Sequence, residues 1–172
     1  FKHKKAWIAI ILKLKEKIFK VFFFIIFFNI LFKDATFYSN DLTTQKPITK
    51  KVYLKGQNNS KYYFEPSTLE FNVGKLYKLE LINQSDAKHY FTSTKFSHSI
   101  FTRKVQLTVG EKKVAEIKGI IREVEVFPSY KIEWWFVPIK TGEFKDLECN
   151  VKYKNNSISH KDMGMVGKII IK

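Results

Sequence analysis

A chain of 172 residues is long enough for one ordinary hydrophobic core and short for a two-domain enzyme. Its 45% hydrophobic and 16% aromatic content excludes a disordered protein, and its single cysteine excludes a disulfide-stapled one. The formal charge of +15 suits nucleic acid, an anionic membrane or an acidic partner, and charge alone does not choose among them.

The charge is unevenly spread. Residues 1–33 hold eight lysines and one acid, Glu16, while the remaining 139 residues hold 23 basic and 15 acidic side chains. Those lysines precede residues 21–32 (VFFFIIFFNILF), an apolar run broken only by Asn29. A basic stretch followed by about 7–15 apolar residues is the pattern of an export signal, and the run falls short of the about 20 residues of a spanning helix. A buried core helix is the plainer reading, but a run with no polar face suits a membrane better. The expectation is a hydrophobic signal peptide or membrane-anchor helix over 1–33 of an exported, periplasmic protein, soluble or tethered. Cleavage stays open, because the nearest candidates, around Ala35 and Ser39, have Lys33 and Phe37 where a small residue belongs.

Residues 34–48 are polar and read as a linker. The domain expected over 49–172 is a series of short strands: 52–55, 62–64, 69–73, 76–82, 89–93, 105–109, 114–117, 121–126, 132–137, 144–149 and 166–171. Period-two alternation is plainest in IREVEV (121–126), where Ile121, Glu123 and Glu125 oppose Arg122, Val124 and Val126. Turn signals separate many of these runs, among them Gly56-Gln-Asn-Asn59, Asn83-Gln-Ser-Asp86, Gly110 and Thr141-Gly142. Only 108–119 holds enough helix formers to compete as a helix. This spacing predicts an all-β sandwich or barrel, and no βαβ series supports a nucleotide-binding α/β fold.

No glycine-rich phosphate loop, HExxH, paired-cysteine zinc motif or GxSxG elbow is present. The informative stretch is the last quarter. Cys149 ends a strand, a polar loop follows, and then come His160, Met163 and Met165, with His89 at the start of an upstream strand. Thiolate, two imidazoles and a thioether are the donor set of a blue-copper site: soft sulfur favours Cu(I), and imidazole accepts either oxidation state. Each residue alone has an ordinary reading. A lone cysteine is commonly a small buried hydrophobe, His160 and His98 can be solvated, and methionines fill cores. As an ordered set at strand ends, with both methionines within five residues of His160, they point to copper.

From about residue 62 to the end, the chain resembles the cupredoxins, the plastocyanin and azurin type of copper protein. The resemblance rests on FEPSTLEFNVGKLYKLELIN (64–83), on His89 in KHYF, on EWWFVPIKTGEFKDLEC (133–149) and on HKDMGMVGKIII (160–171). It implies a Greek-key β-sandwich holding one mononuclear copper, with His89, Cys149 and His160 as equatorial ligands and Met165 as the axial one. Met163, three residues after the histidine, is the reserve axial ligand. It also implies that the ring edge of His160 lies near the surface as the electron port. Two departures stand out: ten residues separate Cys149 from His160, and an insertion lies between about 98 and 119.

The resulting expectation is an exported monomeric electron carrier that transforms no substrate and meets an acidic redox partner. The N-terminal segment would reach the membrane if it remains attached. A copper-delivery module without redox cycling and a metal-free structural β domain are the alternatives. Nucleic acid fits poorly, because the domain mixes charges and shows no basic stripe with stacking aromatics.

Overall fold

The computed structural model describes residues 13–24, 41–57, 61–152 and 158–172. The chain divides into two compact units, Phe1–Asn40 and Asp41–Lys172. In the first, residues 13–24 form a helix, α1; the rest of the apolar run, 25–32, lies outside the described residues. Among the described residues no helix is long and apolar enough to cross a membrane, a statement that does not bear on β-barrels.

The second unit is a sandwich of eleven strands: β1 (Ile48–Gln57), β2 (Lys61–Glu65), β3 (Thr68–Phe71), β4 (Tyr77–Asn83), β5 (His89–Thr92), β6 (Ile100–Val109), β7 (Lys112–Ile117), β8 (Glu123–Val126), β9 (Lys131–Pro138), β10 (Gly142–Glu148) and β11 (Val166–Ile171), with a single helical turn, α2 (Thr94–Ser97), between β5 and β6. One sheet has the order β2-β1-β4-β9-β6-β7 and the other β3-β11-β10-β5-β8. Every strand expected from alternation is present. The chain crosses between sheets after β2, β3, β4, β5, β7, β8 and β9, giving a Greek-key sandwich. Its two parallel pairs, β1 with β4 and β3 with β11, join strands distant in sequence. Residues 41–47 run up to β1 through a turn held by Asp41, and the Gln45 side-chain amide donates to the Gly74 carbonyl.

Alternation decides which side chains enter the space between the sheets. In β9, Trp134 and Phe136 point inward and are buried, while Trp135 turns outward and lies under Lys78, Arg103 and Lys104. Phe71, Tyr77, Phe91, Phe96, Trp134 and Phe136 meet largely edge to face, with centroids 4.9–6.3 Å apart, which suits the charge distribution of aromatic rings. Each such fully buried side chain contributes about 1.5–3 kcal/mol relative to exposure.

Residues 108–119 are a hairpin arm and not a helix. Val105, Leu107 and Val109 continue the β6 alternation, Gly110 takes φ +59° at the turn, and β7 pairs back from Val105↔Ile117 to Val109↔Lys112. Helix formers in this stretch are outweighed by the backbone pairing that β6 offers. This hairpin occupies most of the stretch, about 98–119, where the sequence suggested an insertion.

Candidate metal centre

At one pole of the sandwich, two strand ends and one loop converge. His89 is the first residue of β5, Cys149 directly follows β10, and His160 lies in the loop leading to β11. The ten-residue excursion between Cys149 and His160 is closed at its base by backbone pairing. The His160 N–H donates to the Val151 carbonyl at 2.9 Å, the Lys161 N–H to the Cys149 carbonyl at 2.8 Å, and Lys152 bridges Ser159. The long loop therefore returns His160 to the cysteine as a short one would. Met165 completes the frame: its N–H donates to the His160 carbonyl at 2.9 Å, and its carbonyl accepts from the Cys149 N–H at 3.2 Å.

The side-chain geometry is compact. The two imidazole Nδ1 atoms lie 3.0 Å apart, and Cys149 Sγ lies 3.7 Å from that of His89 and 3.6 Å from that of His160. A triangle with those edges has its centre about 2 Å from every corner, inside the about 2.0–2.3 Å range that imidazole and thiolate keep to a first-row metal such as zinc. Among the described residues these three form the one group of histidine, cysteine or carboxylate donors so arranged, and all three are buried. Met165 is fully buried, and Met163 is partly buried against the core.

Neighbouring groups fix the ring orientations. Ser85 Oγ lies 2.6 Å from His89 Nε2, and also 2.8 Å from Asn83 Oδ1 and 2.9 Å from the Ala87 carbonyl. Those two oxygens can only accept, so the single serine proton goes to one of them and His89 Nε2–H donates to the hydroxyl. That tautomer turns a lone pair of Nδ1 toward the cluster. Asn83, buried at the end of β4, donates to the Ala87 and Val126 carbonyls and accepts from Ser85 N–H and Oγ–H. One side chain thereby ties the loop carrying Ser85 to β8. In the sequence, Asn83 to Asp86 reads only as a turn; the roles of Asn83 and Ser85 depend on where that turn lands.

The electrostatics follow from burial. With a second imidazole close by, burial pushes His89 down to about 3, and burial lowers His160 as well, so both rings are neutral at pH 7. Burial raises the Cys149 thiol, opposed by the Val151 and Tyr90 backbone N–H groups; the latter lies 3.3 Å from Sγ. Two neutral imidazoles and a thiol reluctant to ionise alone are a donor set that a cation completes, because its charge stabilises the thiolate where water cannot.

The exposed His160 edge implied by the family resemblance is not found: the residue is 0% exposed. The Tyr62 ring of β2 lies across it at a centroid distance of 4.3 Å and meets His89 edge-on at 4.8 Å. His98 caps α2 and is exposed, away from this group.

No family model matches the sequence, and no curated protein matches it. Solved structures do match. A laccase from Pediococcus acidilactici superposes with a TM-score of 0.52 at 16% identity, over 74% of this chain and 27% of that one. A multi-copper oxidase from the same organism gives 0.51 at 18% identity, with the same coverage. The fold is a cupredoxin fold. Auracyanin B matches over 74% of this chain and 91% of its own, with a TM-score of 0.44 at 11% identity. This chain therefore spans under a third of the two Pediococcus oxidases.

Proposed function

We propose that this chain is an exported electron carrier that cycles one copper ion between Cu(I) and Cu(II) at His89, Cys149, His160 and Met165. The observation that carries the reading is the triangle of two Nδ1 atoms and one Sγ, sized for a single ion. Copper bound there supplies a one-electron couple, taken from one redox protein and passed to another. Cys149 gives up its proton on loading and keeps the Tyr90 N–H on its sulfur. His89 is held by Ser85 and His160 by its backbone bonds to Val151 and Met165, and the Met165 thioether would supply a fourth, weaker donor to the ion. Ligands fixed from several directions move little when the charge changes, which suits electron transfer over substrate chemistry.

Full burial of both imidazoles favours a resident ion over one handed to a partner, and so favours the carrier over a delivery module. The carrier would act as a monomer, steered toward an acidic redox protein by its basic excess, with residues 1–33 directing export or holding the membrane. Its encounter rate with that partner should fall as salt rises.

The direct test is visible absorption and copper EPR of the full chain with one equivalent of Cu(II), beside Cys149→Ser. An intense thiolate-to-copper band, bleached on reduction and missing from the variant, is the expected result. A copper-treated protein with its thiol still free would sink the assignment.

A further inference from the structure

Tyr62 is buried at 0% exposure although it belongs to β2, an edge strand of its sheet. Three features place its ring. It touches both imidazoles of the cluster, at 4.3 Å from His160 and 4.8 Å from His89. Its hydroxyl donates to the exposed Asp86 carboxylate at 2.9 Å, three residues before His89. And it lies over Gly56, its cross-strand partner in β1, where a Cβ would collide with the ring and with the Lys61 carbonyl oxygen. Gly56, at φ +131°, is thus a socket that lets the tyrosine sit down against the metal centre.

We propose that Tyr62 is the specificity-determining cover of this site: seated in Gly56 and latched by Asp86, its ring admits electrons and excludes small ligands from the metal. The inference rests on the copper reading for its purpose, but the cover itself is a property of the metal-free chain. An electron passes through a packed aromatic ring, whereas azide, a thiol reagent or water needs an open path. The ring contacts both imidazoles from an edge strand of the sheet, so its removal would open the cluster on the side that β2 closes.

The experiment uses the full chain, and Cys149 makes it clean because it is the only cysteine. Alkylation of the metal-free protein by iodoacetamide, followed by mass spectrometry, reads access to the cluster without copper. Tyr62→Ala should react at least about tenfold faster than wild type through local opening, and Asp86→Ala, a surface change that releases the latch, should react about threefold faster. Leu79→Ala, in the β4 core away from the pole, controls for global unfolding. Unchanged rates in both site variants overturn the proposal, as does equal acceleration by Leu79→Ala at matched stability. In the copper-loaded protein, azide should leave the wild-type spectrum untouched and give a new anion-to-copper band in Tyr62→Ala; an azide band in wild type overturns the proposal. If wild type takes up no copper, the carrier reading fails while the alkylation result still decides the cover.

Discussion

The six-stranded sheet ends in two hairpins that share one construction and differ in every consequence. At one edge β2 pairs with β1 across the Gly56 end, and its alternate residues Tyr62 and Phe64 are buried against the pole and the core. At the other edge β7 pairs with β6 across Gly110, and all six of its residues are exposed. Both strands are short, antiparallel and on a sheet margin, and both carry apolar residues, on the inward face in β2 and on both faces in β7. The difference is what lies beneath. β2 overhangs the second sheet and the histidines, so its inward face has something to cover; β7 extends past the sandwich and covers nothing. A pattern of alternation predicts a strand, but only the opposing layer turns that strand into structure or function.

Acidification should separate the two ends most strongly. Both histidines under β2 are held below their unfolded value, His89 down to about 3, so from about pH 6.5 downward the unfolded chain binds protons that the folded chain refuses. Stability of the metal-free protein should therefore fall as pH falls from about 6.5 toward 3, by about 1.4 kcal/mol per pH unit for the His89 proton, with His160 acting in the same direction. Urea midpoints measured from pH 7 to pH 3 check this, and His89→Gln should reduce the slope. A midpoint insensitive to pH would mean that the pole is not closed over neutral rings.

The matched glycines come next. Gly56→Ala places a Cβ into the Lys61 carbonyl oxygen and the Tyr62 ring at a backbone angle hostile to side chains, and should cost about 3 kcal/mol or more. Gly110→Ala keeps only the backbone penalty, since nothing lies within 4 Å of the new atom, and should cost about 1 kcal/mol. Denaturant titration of the two proteins gives the comparison directly. Equal losses would show that Gly56 is a turn residue and not a socket. A smaller effect belongs to Tyr62→Phe, which keeps the ring and loses the hydrogen bond to Asp86, for about 1 kcal/mol.

The contrast also marks where sequence reasoning runs out. The strands were legible because period-two alternation is local, and His89, Cys149 and His160 were legible as a set because their donor chemistry is unusual in one chain. Met165 was singled out by the family resemblance, and it is buried with backbone bonds to both Cys149 and His160. Tyr62 was not legible as a site residue, since a tyrosine in an edge strand reads as ordinary until the pairing Gly56↔Tyr62 and the burial of His160 are known. Ser85 and Asn83 were hidden for the same reason: they act on His89 through a loop whose path is set by β8. The helix reading of 108–119 was open because local propensity there is indifferent and pairing to β6 decides it.

The smallest effect is the one that tests the comparison from its other side. In β7, Val114 and Ile117 are 52% and 54% exposed and cover no buried group. If a strand without an opposing layer gains no packing energy, Ile117→Thr and Val114→Thr should each change stability by no more than about 0.5 kcal/mol, in keeping with substitutions away from any core, cap or buried network. Threonine keeps the β-branched shape, so backbone pairing with Val105 and its neighbours is preserved and the side chain alone is tested. Unfolding midpoints within error of wild type, with the thiolate-to-copper band unmoved, would leave the arm as a solvent-exposed extension. A loss of 2 kcal/mol or so would instead place β7 against a surface that it meets in solution, and would make the two hairpins alike after all.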